Sequence, residues 1–300
     1  MRTLNTATKT SRRAPSGTNL SVLLVVAHPD DEYYCAATVY RLTQELGAAV
    51  DQLIITNGEG GFRYASLAER IYGHTLTEET VGRAQLPVIR REEARRAGQI
   101  LGIRRHIFLD QPDVAFPAEL QTSIEHVWDR RIIERALDRL LQAGTYDFIF
   151  TVLPTEDTHP HHQAATLLTL ERVAGLDEKE RPVVLGCTYR SSALNPTPTL
   201  AAPPQHPRMQ VVGDRPVFSF DRRHKFGFNG SLDYAVIVHW MMAEHKSQGL
   251  FQTAYGVDDT EDFWYFRAND PAGLTRAHAL FGMLHPGVAA AGHARPRKAA

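Results

Sequence analysis

The chain is poor in cysteine. Only Cys35 and Cys187 occur among 300 residues. Two thiols cannot staple a fold of this length, so the expected setting is a reducing one, with a cytoplasmic location. Long apolar runs are missing too: none reaches the roughly 20 residues that a membrane span needs. Excess charge is also lacking, since 33 basic residues face 34 acidic ones and leave a net charge of -1. Nothing global therefore points to nucleic acid or to a membrane surface. Arginine does cluster locally, at Arg90, Arg91, Arg95, Arg96, Arg104 and Arg105. With Glu92 and Glu93 interleaved, this reads as a solvated helix face, from which one arginine could still serve a substrate. The first 19 residues contain no acid and no apolar core of a secretory signal. They are expected to form a disordered tail, as are residues 286–300.

What is present is a strand–helix alternation. "SVLLVVA" from Ser21 is a continuous apolar run, the pattern of a strand buried on both faces. A helix is predicted over Asp31–Leu46, ended by Gly47, and "AVDQLIITNG" is the next strand. A long segment, 59–87, precedes a helix from Val88 to Leu101. "HIFLD" is a third strand, Ser123–Ala143 an amphipathic helix, "YDFIFTVLP" a fourth strand, "HHQAATLLTLERVAG" a helix and "PVVLGCTY" a fifth strand. The alternation predicts an α/β, Rossmann-like, mostly parallel sheet with helices on both faces. Beyond Arg190 the pattern weakens. "NPTPTLAAPPQHP" is a Pro-rich loop, followed by a short "PVFSF" strand, a helix over Tyr234–His245 and "EDFWYFR". No internal repeat is visible. A single domain over 20–285 is expected, with 190–285 a C-terminal elaboration packed on the main sheet.

Ligands of open α/β sheets bind outside the carboxyl ends of strands. Two unusual clusters fall there: "HPDDE" at His28–Glu32 after the first strand, and "PTEDTHPHHQ" at Pro154–Gln163 after the fourth. The first turn has no glycine, and its carboxylates would repel a pyrophosphate, so a nucleotide-binding turn is disfavoured. Carboxylates beside histidines suit a divalent cation instead. His28 and Asp31, three apart, can turn to one point. A histidine of the second cluster would complete a triad and leave one carboxylate over as a base. The bland alternative is a plain helix N-terminus, with Asp31 and Glu32 favoured by the dipole.

"AHPDDE" at Ala27–Glu32 resembles the signature of the PIG-L/LmbE-like de-N-acetylases, and "HPHH" at His159–His162 resembles their His-Pro-Asp-His motif. Weaker echoes are "NGEGG", Arg90-x-x-Glu93 and "HKSQ" at His245–Gln248. The resemblance is strong over roughly residues 20 to 170. It implies an LmbE-like fold and a metal-dependent hydrolase that removes an acetyl or other acyl group from an N-acetylglucosamine-type sugar or glycoconjugate. His28, Asp31 and His162 would be the ligands of one divalent ion, Zn2+ foremost and Fe2+ the alternative. Asp30 would be the general base for the attacking water, and His159 would face the oxyanion. Arg90 would reach the substrate. Asp113 would contact sugar hydroxyls, with Asp110 its competitor. No nucleic acid and no membrane span are implied, and a homo-oligomer is left open.

Two departures stand out. His161 occupies the place of the family Asp that tunes the preceding histidine, with Glu156 or Asp157 as substitutes. His161 is either a spare ligand or an exposed cap residue, and the second is the expectation. Asp157 also stands where some members carry a tyrosine. His245, Trp240, Met241 and Met242 are assigned to core or rim packing. Rival functions are a conjugate amidase of the same family and a catalytically silent sugar- or metal-binding relative.

Overall fold

The structure is a computed structural model that describes residues 19–114, 119–143, 146–155, 157–191, 206–249 and 258–284. Nearly all of the two expected tails, most of the Pro-rich loop and Glu156 lie outside the described residues. The strands are β1 (Ser21–Val26), β2 (Ala49–Thr56), β3 (Arg105–Gln111), β4 (Phe148–Val152), β5 (Val183–Arg190), β6 (Phe218–Asp221), β7 (Lys225–Phe226), β8 (Leu232–Asp233) and β9 (Thr260–Tyr265). Seven of them form one sheet in the order β3-β2-β1-β4-β5-β9-β6. The first five run parallel, while β9 pairs antiparallel with β5 and β6 antiparallel with β9. The expected Rossmann-like, mostly parallel sheet is therefore observed, and the C-terminal segment extends it by an antiparallel edge.

Alternation along β1 explains the layers. Val22 and Leu24 point into one core with Val39, Leu42, Met241 and Phe281. Leu23 and Val25 point into the other with Ile133, Leu137, Leu168 and Val184. A strand buried on both faces has to be apolar at every position, and all six described positions of β1 except Ser21 are buried. The helices are α1 (Ala36–Tyr40), α2 (Glu69–Tyr72), α3 (Glu79–Leu101), α4 (Leu120–Thr122), α5 (Arg130–Ala143), α6 (Pro160–Ala174), α7 (Tyr234–Glu244) and α8 (Gly273–Leu284).

Three helical expectations change. The helix expected over Asp31–Leu46 is split into a 3-10 turn at Asp31–Cys35, α1, and a wide π turn at Arg41–Glu45. A fresh start at Ala36 is possible because Glu261 of β9 accepts from the backbone N–H groups of Ala37 (2.8 Å) and Thr38 (2.9 Å), as a capping carboxylate does. α3 begins at Glu79, eight residues before Pro87, which sits inside it. Proline removes one helical bond there, but Leu86, Arg90, Glu93 and Ala94 on the flanking turns are buried and hold the helix against the body. The helix expected over Ser123–Ala143 breaks at Trp128, which is extended (φ -96°, ψ 145°). Trp128 Nε1 donates to Pro112 O at 3.1 Å, and Asp129 Oδ1 accepts from Arg131 and Ile132 N–H to start α5. α8 has no counterpart among the sequence expectations. It packs Ala277, Leu280, Phe281 and Leu284 into the first core.

Candidate functional site

Strand order reverses between β1 and β4, which lie side by side with Val25 opposite Thr151. Loops leaving two such strands diverge and open a crevice at their carboxyl ends. The turn after β1 carries His28–Glu32, and the loop after β4 carries His159–His162 at the start of α6. The topology therefore joins two clusters that stand some 130 positions apart. His28, Asp30, Asp31, Arg90, Asp113, His159 and His162 all line one cavity of about 440 Å3.

Asp31 is the centre of the first group. Its Oδ2 accepts from the His28 backbone N–H at 2.7 Å, which closes the turn. The same oxygen lies 3.6 Å from His28 Nδ1 and 3.3 Å from His162 Nδ1. His162 Nδ1 is buried and, among the described residues, has no hydrogen-bond partner. These three residues present ligand atoms that could hold a metal ion. Their spacing suits a tetrahedral centre, whose ligand atoms stand ~3.4 Å apart when each bond is ~2.1 Å. Burial opposes ionisation of Asp31, but His162 and His28 outweigh it and hold its carboxyl well below the usual range. Burial likewise pushes His28 down, and Asp31 and Asp113 more than reverse this, so its pKa is raised.

Asp30 lines the same cavity and has a partner of its own. Its Oδ1 takes a 2.8 Å ion pair from Arg90 Nη2, while Arg90 Nη1 donates to Gly58 O at 2.8 Å. Arg90, expected to reach the substrate, is buried and spends both terminal nitrogens, Nη1 and Nη2, on holding the loop and Asp30. The "NGEGG" element is explained by the same side chain. A Cβ on Gly61 would stand 2.7 Å from Arg90 Nη1, and one on Gly58, at φ +72°, would stand 2.8 Å from it. Of the two competing aspartates, Asp113 lines the cavity and is buried beside His28 and His161, whereas Asp110 does not line it and is paired with Arg91.

His159 is the N-cap of α6, and its Nδ1 accepts from the His161 backbone N–H at 3.2 Å. In the neutral ring that acceptor role places the proton on Nε2. His161 departs from expectation. It is neither exposed nor a cap: it is wholly buried, and its ring lies against Trp128 with centroids 5.0 Å apart. Its Nδ1 is 3.2 Å from His28 Nε2. Burial, with the neighbouring His28, pushes its pKa down to about 2. His28, His159 and His161 form a second group whose atoms could hold a metal ion.

Sequence reasoning missed the cavity's aromatic wall, Tyr33, Tyr34, Tyr64 and Tyr189. Tyr34 stacks edge-on to His162 at 5.8 Å, and Tyr189 packs on both Tyr33 and Tyr34. Only the "DEYY" adjacency to the first cluster could have signalled two of them. Glu32, expected merely to cap or orient its helix, is fully buried. It binds His245 Nε2 at 2.6 Å and Gln52 Nε2 at 3.2 Å. The neighbouring Glu93 accepts from Ser247 N–H at 2.8 Å, so the "HKSQ" element is tied to this layer. Trp240, assigned to packing, is 58% exposed, whereas His245, Met241 and Met242 are buried.

Residues 23–173 match the family described as PIG-L: GlcNAc-PI de-N-acetylase. The chain belongs to the PIG-L family. Among curated proteins it is 26% identical over 163 residues to a probable N-acetyl-alpha-D-glucosaminyl L-malate deacetylase 2 of Bacillus cereus, covering 54% of this chain and 65% of that one. To the protein of the same name in Bacillus anthracis it is 27% identical over 172 residues, covering 57% and 67%. The match thus spans about two thirds of those relatives. Among solved structures it resembles N,N'-diacetylchitobiose deacetylase from Pyrococcus horikoshii, with TM-score 0.50, 16% identity and coverage of 81% and 82%. It also resembles a deacetylase of teicoplanin biosynthesis, with TM-score 0.51, 15% identity and coverage of 83% and 100%. At such identities the likeness shows the LmbE-like fold. No helix among the described residues is long and apolar enough to cross a membrane.

Proposed function

We propose that this PIG-L family member is a metal-dependent N-deacetylase acting on an N-acetylglucosamine-type sugar or conjugate. The observation that carries the reading is the convergence of His28, Asp31 and His162 donor atoms beside an Arg90-held Asp30 in one cavity. His162 Nδ1, which has no hydrogen-bond partner among the described residues, marks a position that a cation would complete, and two imidazoles with one carboxylate suit Zn2+ first and Fe2+ second. One such ion would supply Lewis-acid polarisation of the acyl carbonyl and make water more acidic.

The protein's own groups do the rest. Arg90 fixes Asp30 by Oδ1, leaving Oδ2 to take the proton of the attacking water and later deliver it to the departing amine. His159, with its proton on Nε2, donates to the oxyanion of the tetrahedral intermediate. This role needs no charged imidazole, so the absence of the family Asp at position 161 does not remove it. The tyrosine wall offers aromatic faces and hydroxyls to a sugar, and Asp113 orders the His28–His161 side of the cavity. Cytoplasmic residence belongs to the same proposal, supported by two buried free thiols.

The test is a screen of N-acetyl amino sugars and larger N-acyl glycoconjugates, with free amine as the readout and zinc-loaded protein as catalyst. Amine release from an N-acetyl amino sugar supports the reading. Release only from larger non-acetyl amides would favour the conjugate-amidase function, and release from none would sink the enzymatic reading.

A further inference from the structure

His28 is held at both ends of its ring. Nδ1 faces the Asp31–His162 group, 3.6 Å from Asp31 Oδ2. Nε2 faces the other way, 3.2 Å from His161 Nδ1. For Nδ1 to present a lone pair to a cation, the ring proton has to sit on Nε2 and needs an acceptor there. Metal-binding histidines ordinarily find it in a carboxylate or a backbone carbonyl. Here the nearest carboxylate, Asp113, has its Oδ1 3.9 Å from Nε2, too far for a hydrogen bond. The nitrogen within reach belongs to His161.

The surroundings of His161 suit that task and no exposed one. The ring has no solvent contact and is pressed by Trp128, whose departure from the helical line puts it there. Its Nε2 has no hydrogen-bond partner among the described residues, which leaves Nδ1, 3.2 Å from His28 Nε2 and 3.6 Å from Asp113 Oδ1, as the ring's polar contact. A histidine thus stands beside His28 where the family motif carries a carboxylate.

We propose that His161 is a positioning residue: its Nδ1 accepts the Nε2 proton of His28 and so fixes the tautomer and orientation in which His28 Nδ1 can bind a divalent cation. The inference rests on the metal-site reading above. It assigns His161 neither to the cation nor to the substrate.

The test uses full-length protein titrated with Zn2+ against a chromophoric chelator. His161→Ala lowers zinc affinity 10- to 100-fold, the range for loss of an outer partner of a ligating histidine. His161→Asn, whose Oδ1 can accept the same proton, restores it to within about threefold of the wild type. Long-range 1H–15N spectra of the wild-type protein show His28 protonated on Nε2, a signature that does not depend on any variant folding. Equal zinc affinity in His161→Ala and wild type, with binding lost in Asp31→Ala, overturns the proposal and leaves the metal reading standing. Two zinc ions per chain, the second lost in His161→Ala, overturn it in favour of His161 as a ligand with His28 and His159. No zinc binding by the wild type removes the reading on which the proposal rests, and the proposal with it.

Discussion

Asp31 and Glu32 are neighbours in one turn, both buried, and they face opposite ways. Asp31 looks into the cavity, where His162 Nδ1 stands 3.3 Å off and has no hydrogen-bond partner among the described residues. Glu32 looks under the turn, where His245 Nε2 binds it at 2.6 Å. Each is a carboxylate facing an imidazole, yet one pair is spread to the spacing of metal ligands and the other is drawn to the length of an ion pair. Two adjacent charges can be tolerated because they do not share an environment. On the proposed reading the open pair is the one that serves chemistry, and the closed pair ties β1's turn to the C-terminal segment that follows α7.

Substitutions can pull the two pairs apart. Asp31→Ala has the largest expected effect: zinc affinity falls 100-fold or more and amine release is lost, with metal retention after dialysis as the check. A variant that kept its zinc would show that the open pair is not a metal site. Asp30→Asn keeps the zinc but slows turnover by about 10²- to 10⁴-fold, since only the proton acceptor is removed. Rate and bound metal measured on the same sample decide this. Glu32→Ala acts on stability where Asp31→Ala acts on the metal. It strands His245 in the interior at a cost of about 3–5 kcal/mol, read as a lower thermal midpoint in metal-free protein.

The closed pair also sets a pH signature. Burial pushes His245 down, but Glu32 beside it prevails and its pKa is raised above 6.5. Burial pushes Glu32 up, and His245 prevails again, so its pKa is lowered below 4.5. The His245 contribution is full below 6.5 and is lost as pH rises through its folded value. The Glu32 contribution is full above 4.5 and is lost as pH falls through its folded value. The stabilisation by the pair is thus greatest between about pH 4.5 and 6.5, and Glu32→Gln flattens the stability profile on both sides of that window. The smallest effect is expected far from either pair. Trp240→Ser, on the exposed side of α7, changes stability by no more than about 0.5 kcal/mol.

Much of this architecture is legible in the chain. β1 can only be a strand buried on both faces, because five consecutive apolar residues leave no polar side to expose. The placement of His28–Glu32 after it follows from where apolar character stops. The helix boundaries were less legible, and the reasons are contacts distant in sequence. α1 starts afresh at Ala36 because Glu261 caps it from 224 and 223 residues away. Trp128 leaves its helix to cover His161, which no periodicity announces. Arg90 looks like any member of a solvated arginine row until Gly58 and Gly61 open the space that its guanidinium fills.

The residue types at the site were set locally: histidines and carboxylates at strand ends imply affinity for a cation wherever they lie. Which of them meet was settled by strand order, since β1 and β4 adjoin and bring His28 and Asp31 to His162. The division of labour between Asp30, Asp31 and Glu32 was settled later still, by what each direction of the turn encounters. Asp30 meets the buried guanidinium of Arg90, Asp31 the more distant imidazole nitrogen of His162 and Glu32 the bonded one of His245. A one-dimensional pattern specifies charge and polarity, whereas the partner that gives each charge its role arrives only when remote segments pack.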